Sequence, residues 1–291
     1  MNILLEGPDG GGKTTLAEAL GNGFYVHHGP PDNPWAEYLR TVTTAARCAR
    51  YRSTIVDRLH PSELVYGMEL RGADRLVNPA RWRMLERVLL ARPTALIICL
   101  PPKDVALSNW RARREEEMIQ DEERMDTIWH RYRAFDRTYL PMMQYDYTKD
   151  GPGKVNDFVA GLPPGLPAPL VGTSMARVLL IGDQQRGVIF PFVNEHGCSP
   201  WLTEMLEKAK VGEDELAWAN AFDHYGRELN PALMRALPFL QTTVALGRKA
   251  QAWCRRYHIR HRAVPHPQFW RRFHARETYP LITLLENDHG I

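Results

Sequence analysis

The run Gly7-Pro8-Asp9-Gly10-Gly11-Gly12-Lys13-Thr14, followed by Thr15, fits the phosphate-loop spacing G-x-x-x-x-G-K-[ST]. Small residues let successive backbone N–H groups curl around phosphate oxygens, and a helix starting at the loop's end adds positive potential. Lys13 is expected to reach the β- and γ-phosphates, and the Thr14 hydroxyl to hold Mg²⁺. ATP with Mg²⁺ is therefore the expected cofactor. The apolar run Ile3-Leu4-Leu5 ahead and the Ala/Leu-rich pattern from Thr15 to Leu20 behind supply the strand and helix that such a loop requires.

A phosphate loop fixes the donor and leaves the acceptor open. Two further segments carry chemistry suited to an acceptor. Val56-Asp57-Arg58 leads toward Ser62 and Tyr66 where a third strand would end, and in an open α/β sheet the carboxyl ends of strands face the ligand crevice. Asp57 is placed to orient Mg²⁺ or its water. The donor fork of Arg58 suits an acceptor phosphate, although a surface Asp-Arg ion pair reads the same way. Arg111, Arg113 and Arg114 precede Glu115, Glu116 and Glu117. Such cations can sit on a lid over a γ-phosphate, or lie solvated in i to i+4 salt bridges.

The elements that must position these residues follow from apolar periodicity. Strands are predicted over 3–6, 24–27, 54–56, 95–100 and 143–147, with helices over 35–51, 79–91, 105–118 and 121–139. That alternation predicts a parallel sheet with helices on both faces. Beyond a short amphipathic piece, 155–160, comes Gly161-Leu-Pro-Pro-Gly-Leu-Pro-Ala-Pro, whose Pro/Gly density predicts a linker. The alternation then restarts, with strands predicted over 177–182, 216–220, 242–247 and 261–264. The expected organisation is an α/β chain of two domains: a P-loop domain over 1–160, a linker over 161–175, and a smaller α/β domain over 176–291.

The motif Glu6-Gly-Pro-Asp-Gly-Gly-Gly-Lys-Thr-Thr15, together with Asp57-Arg58, Ser62 and Tyr66, resembles the thymidylate kinase family of nucleoside monophosphate kinases. The resemblance covers roughly residues 1–150. It implies an ATP-dependent phosphotransferase, with Asp9 facing the acceptor sugar, Arg58 the acceptor phosphate, and Ser62 and Tyr66 in the substrate site. Position 10 is glycine and not arginine, which in this family implies that the lid supplies the catalytic cation. Arg71 and Tyr66 are the candidates for reading the acceptor base.

In the second half, the interval from Leu229 to Arg276 holds no Asp or Glu. It carries Arg235, Arg248, Lys249, Arg255, Arg256, Arg260, Arg262, Arg271, Arg272 and Arg276, interleaved with Trp253, Tyr257, Phe269, Trp270 and Phe273. Cations neutralise phosphates and aromatic faces stack on unpaired bases, so this segment is expected to contact nucleic acid; the same aromatics could instead be core, with the arginines solvated. The ordered series Gly182-Asp183-Gln184-Gln185, Phe190-Pro191-Phe192, Gly197-Cys198-Ser199, Asn220, Val244 to Gly247 and His266-Pro267 resembles the uracil-DNA glycosylase superfamily. By that resemblance Asp183 handles water or the sugar cation, Phe192 stacks on a flipped base, Asn220 reads its edge and His266 stabilises the departing base. The series departs from the family at Gln184-Gln185 and Gln268. It also lacks the iron–sulfur cysteines of some members.

Composition bounds the rest. With 44% hydrophobic and 24% charged residues and a formal charge of +3, the 291-residue chain has the balance of a soluble globular protein. No apolar run approaches the ~20 residues of a membrane span. Four dispersed cysteines give no Cys-x-x-Cys pair and predict reduced thiols. The chain enters its first strand at once, which predicts a cytoplasmic protein, in the host cytoplasm if phage-encoded. Three functions remain open: a kinase for free deoxynucleotides, a kinase acting on a hydroxymethylated pyrimidine within DNA as in phages that hypermodify thymine, or a glycosylase or DNA-binding module with an accessory ATP-binding domain.

Overall fold

A computed structural model describes residues 1–21, 23–49, 52–72, 76, 79–185, 189–275 and 277–289. Tyr51, Arg276 and residues 290–291, which the sequence expectations include, lie outside them. The chain forms two compact units, Met1–Val77 with Pro93–Leu162, and Asn78–Arg92 with Pro163–Ile291.

In the first unit, β1 (Asn2–Glu6) leads through the glycine loop into α1 (Lys13–Leu20), followed by β2 (Phe24–His27), α2 (Pro34–Cys48), β3 (Thr54–Asp57) and α3 (His60–Arg71). The next helix, α4 (Pro79–Leu90), belongs to the second unit. The first unit resumes with β4 (Thr94–Cys99), α5 (Lys103–Arg111), α6 (Glu122–Arg133), β5 (Met142–Tyr145) and α7 (Gly153–Ala160). The sheet order is β2-β3-β1-β4-β5, parallel throughout. Alternate residues of β1 and β4 point to opposite faces, yet all are buried, so both faces are covered. On one face Ile3, Leu5, Ala95 and Ile97 pack with Leu16 of α1 and Val155 and Val159 of α7. The crossovers place the phosphate loop between the carboxyl ends of β1 and β4, where connections leave in opposite directions.

The second unit opens with the edge strand β6 (Val171–Gly172), then β7 (Val178–Gln184), α8 (Cys198–Lys208), β8 (Leu216–Phe222), β9 (Thr242–Leu246), α9 (Arg248–Arg256), β10 (Arg262–Val264), α10 (Pro267–Phe273) and α11 (Pro280–His289). Its order is β10-β9-β7-β8-β6, with β6 antiparallel to β8. Leu180, Trp218 and Val244 pack with α8 and α11 on one face. Ile181, Ala219 and Ala245 meet Ala250, Trp253 and Cys254 of α9 on the other.

Three sequence expectations change. Helix α3 went unseen because His60 to Gly67 are all buried, leaving no polar stripe to mark a helical period. The Pro/Gly stretch at 161–175 enters a core: Leu166 and Leu170 are buried, and the Leu166 N–H donates to Ala91 O at 3.0 Å. The prolines of that segment all precede the edge strand Val171–Gly172, so none removes a ladder donor. Finally, the helix predicted to run to 118 stops at Arg111, and 114–116 form a 3₁₀ turn. Among the described residues no helix is long and apolar enough to cross a membrane.

Candidate functional site

Gly12 sits at φ +84° as the N-cap of α1 and provides no side-chain cap, so the first-turn amides remain open to an anion. The Lys13 ammonium, buried, donates to Gly7 O at 3.0 Å and Pro8 O at 2.8 Å. Burial, followed by the charge of Arg58, holds its pKa below the usual lysine value. A polyphosphate would replace two carbonyl dipoles by full negative charge and reverse that shift.

A clamp that the motifs did not reveal fixes the loop from behind. Asn109 of α5 donates to Gly10 O at 3.1 Å and to the Tyr147 hydroxyl at 2.6 Å. The Tyr147 ring lies where a Cβ on Gly12 would come within 2.7 Å of it. Gly12→Ala therefore meets both a left-handed backbone and this ring. We expect it to weaken ATP binding by about tenfold or more by isothermal titration, with partial recovery when Tyr147→Ala removes the ring; no recovery would show that the ring is irrelevant.

The residues expected on the acceptor side converge. Arg58, at φ +69°, pairs with Asp9, and its guanidinium lies 4.6 Å from the Tyr66 ring centroid. The Tyr66 hydroxyl donates to Asp9 Oδ2 at 3.1 Å and accepts from the Asp9 N–H at 3.0 Å. Burial alone would raise the Asp9 pKa, but Arg58 and Lys13 beside it override burial and hold it down. Asp9, Arg58, Tyr66, Glu63 and Arg71 line one cavity of about 180 Å³. There Arg71 pairs with Glu63.

Ser62 lines the same cavity, yet its hydroxyl donates to the buried Glu6 at 2.6 Å. Glu6 also accepts from the Leu59 N–H at 2.6 Å and the Tyr132 hydroxyl at 3.0 Å. Glu6 is thus a pillar that ties β1 to the chain following Arg58. Its first signal is its place directly before the glycine loop; Tyr132 gives none, lying 126 residues away.

Asp57 is 1% exposed. Its Oδ2 accepts from the Tyr25 hydroxyl at 2.8 Å and lies 3.3 Å from His27 Nδ1, while its Oδ1 has no hydrogen-bond partner. An orphaned carboxylate oxygen and the Thr14 hydroxyl are hard donors of the kind Mg²⁺ takes. The three arginines diverge. Arg111 pairs with Glu122 on the surface, and Arg114 lies 5.5 Å from the Trp110 ring centroid. Arg113, 3.4 Å from Glu117, is the one whose charge helps hold Asp9 ionised.

In the second unit Asp183, Phe192, Asn220 and His266 line a cavity of about 420 Å³. Asp183 Oδ1 accepts from the Ala250 N–H at 2.8 Å. Its oxygens occupy the space a Cβ on Gly247 would take, at 2.6 Å, so the carboxylate caps α9. His266 Nδ1 accepts from the Gln268 N–H at 3.1 Å and caps α10. Asn220 is 9% exposed, and its amide makes no hydrogen bond among the described residues. In the basic segment Trp253 is core, whereas Phe269 and Phe273 are 49% and 69% exposed.

Compared by sequence, the chain matches no family model and no curated protein. Compared by structure, the YorR protein of Bacillus subtilis in complex with phosphorylated GDP aligns over 55% of this chain and 94% of its own, at 19% identity and a TM-score of 0.44. Deoxyadenosine kinase from M. mycoides with the products dCMP and dCDP aligns over 55% and 95%, at 19% identity and a TM-score of 0.36. The same enzyme with bound dATP aligns over 55% and 98%, at 19% identity and a TM-score of 0.35.

Proposed function

We propose that the first unit is an ATP-dependent phosphotransferase acting on a deoxynucleotide-like acceptor. The observation that carries this reading is the joining of two sites: Asp9, inside the phosphate loop, is bound by Arg58 and Tyr66 of the adjoining cavity. ATP phosphates occupy the Gly7 to Thr15 loop, with Gly10, Gly11 and Gly12 giving their backbone and Lys13 its charge. Arg58 exchanges Asp9 for the acceptor's anionic group, and Asp9 turns to its sugar. The acceptor oxygen attacks the γ-phosphorus, the bond to the β-phosphate bridging oxygen breaks, and ADP leaves. Of the three arginines, Arg113 is the one whose charge acts on Asp9, and it takes the role of balancing the charge that develops. Thr14 and Asp57 would hold Mg²⁺, which supplies charge neutralisation on the phosphates.

Arg58→Ala should lower kcat/KM for the acceptor about a hundredfold, the size of a lost charge-assisted contact, and leave KM for ATP nearly unchanged. Steady-state kinetics with varied acceptor check it; an effect confined to ATP would place Arg58 on the donor side.

A second reading concerns what carries the acceptor. Asn220 is a buried amide with no hydrogen-bond partner among the described residues, facing a cavity beside Phe192, arranged as a base reader would be. With the cationic segment 229–276 and exposed Phe269 and Phe273, this favours a base within DNA as the acceptor, brought in by the second unit. Asp183 is engaged as a helix cap and no other acid among the described residues lines that cavity, which favours binding over base excision. Radiolabelled ATP offered with dTMP or with DNA containing hydroxymethyluracil tests both readings. Label in the DNA supports the second, label in the mononucleotide alone rejects it, and label in neither rejects the acceptor class.

A further inference from the structure

The second unit's cavity is supported by a helix that the sequence places in the first half. Helix α4 lies between α3 and β4 in the chain yet packs in the second unit, and it carries Arg81 and Arg87 to both parts of one loop. Buried Arg87 donates from Nη1 to Phe192 O at 2.6 Å. Its Nε and Nη2 bind Glu213 at 3.0 and 2.7 Å, and its guanidinium lies 3.7 Å from the Trp218 ring centroid. Trp218 in turn donates to Glu213 at 3.1 Å and packs against Phe192, with ring centroids 5.2 Å apart. Arg81 binds Glu195 at 2.5 Å, between Asn194 and His196 of the cavity wall.

Phe192 needs such support. Its φ of +54° is a left-handed conformation that a bulky residue adopts only when its surroundings over-determine it. The tip of its ring and the Asn220 amide oxygen meet over Gly182, in space that any Cβ there would fill. A charge-assisted bond to the Phe192 carbonyl fixes the peptide on which that ring orientation depends.

We propose that Arg87 and Arg81 are positioning residues for the loop at 190–197, so that a segment interpolated from the phosphate-loop half of the chain sets the aromatic platform of the second unit's cavity. This rests on the reading of that cavity as a base site. A glycosylase-like unit cut at the apparent boundary near residue 161 would lack both arginines.

The test uses the full chain and fluorescein-labelled single-stranded DNA carrying either one uracil or one abasic position. The preference for uracil over the abasic strand should fall about threefold to tenfold in Arg81→Ala, and about tenfold or more in Arg87→Lys, which keeps the charge and loses the fork. Arg81→Lys should recover part of the loss. A merely structural role would weaken both DNAs equally and leave the preference intact, which overturns the proposal. Hydrogen exchange gives an independent arm: amides of 192–197 should exchange about tenfold faster in Arg81→Ala while those of β8 are unchanged. If the parent protein shows no preference for uracil, the base-site reading falls by itself. Unchanged exchange at 192–197 in both folded variants then overturns the positioning role.

Discussion

Lys13→Ala is expected to lower phosphoryl transfer by about a thousandfold or more, with the fold retained, because the ammonium contributes chiefly once a triphosphate is present. Without nucleotide, Lys13 satisfies two carbonyls of its own loop, and burial disfavours its charge. Removing it costs the resting fold two local bonds while relieving a desolvated cation, so the melting temperature should move little. In the transition state the same group faces charge spread over the γ-phosphoryl oxygens, where one preorganised cation is worth several kcal/mol. Single-turnover transfer from labelled ATP, measured beside the circular-dichroism melt, checks both halves of the statement. Activity within tenfold of the parent would remove Lys13 from the chemistry; loss of the folded state would make it structural.

The strand–glycine loop–helix unit was legible because its requirements are local: small residues, a following helix and a preceding strand all lie within twenty residues. The five parallel strands of the first sheet were legible for a related reason, since buried strands read as short apolar runs between turn signals. What stayed hidden depends on distance or on burial. Helix α3 shows no stripe because its first eight residues are buried all round. The Glu6–Tyr132 contact joins residues 126 apart in sequence, and the Asn109–Tyr147 clamp joins residues that no phosphate-loop spacing connects. Arg111, Arg113 and Arg114 look equivalent as a string. Only the folded structure separates Arg113, paired with Glu117 and contributing to the lowered pKa of Asp9, from two arginines held by Glu122 and Trp110. The membership of α4 was least legible of all, because Arg83, Glu86 and Arg87, all buried, read in the sequence as a solvent face whichever core the helix joins.

That membership makes Arg87→Ala the substitution with the largest expected effect on stability, a loss of about 3 kcal/mol or more. The variant strands Glu213, 0% exposed, with Arg83 at 3.5 Å as its remaining cation, and it also frees Phe192 O and Thr203 Oγ1, which Arg87 binds at 2.6 and 3.0 Å. Burial by itself would raise the Glu213 pKa, but Arg87 and then Arg83 override it and hold the value below the usual glutamate range. The sign of the pH dependence follows. A depressed carboxyl pKa contributes stability that is complete above the unfolded value, near 4.5, and is lost as pH falls through the folded value. Without Arg87 the buried carboxylate becomes a liability at neutral pH that protonation relieves. The destabilisation should therefore be greatest near pH 7 and shrink as pH approaches 4.5. Pairing Arg87→Met with Glu213→Leu should recover most of the loss, since an apolar pair of similar volume leaves no charge unmatched. Urea unfolding of the full chain, with hydrogen exchange of β7 and β8 reporting the second unit, measures each arm. A penalty that does not change with pH, or one that the double substitution fails to reduce, would mean that the ion pair is incidental and that α4 is held in the second unit by its apolar face alone.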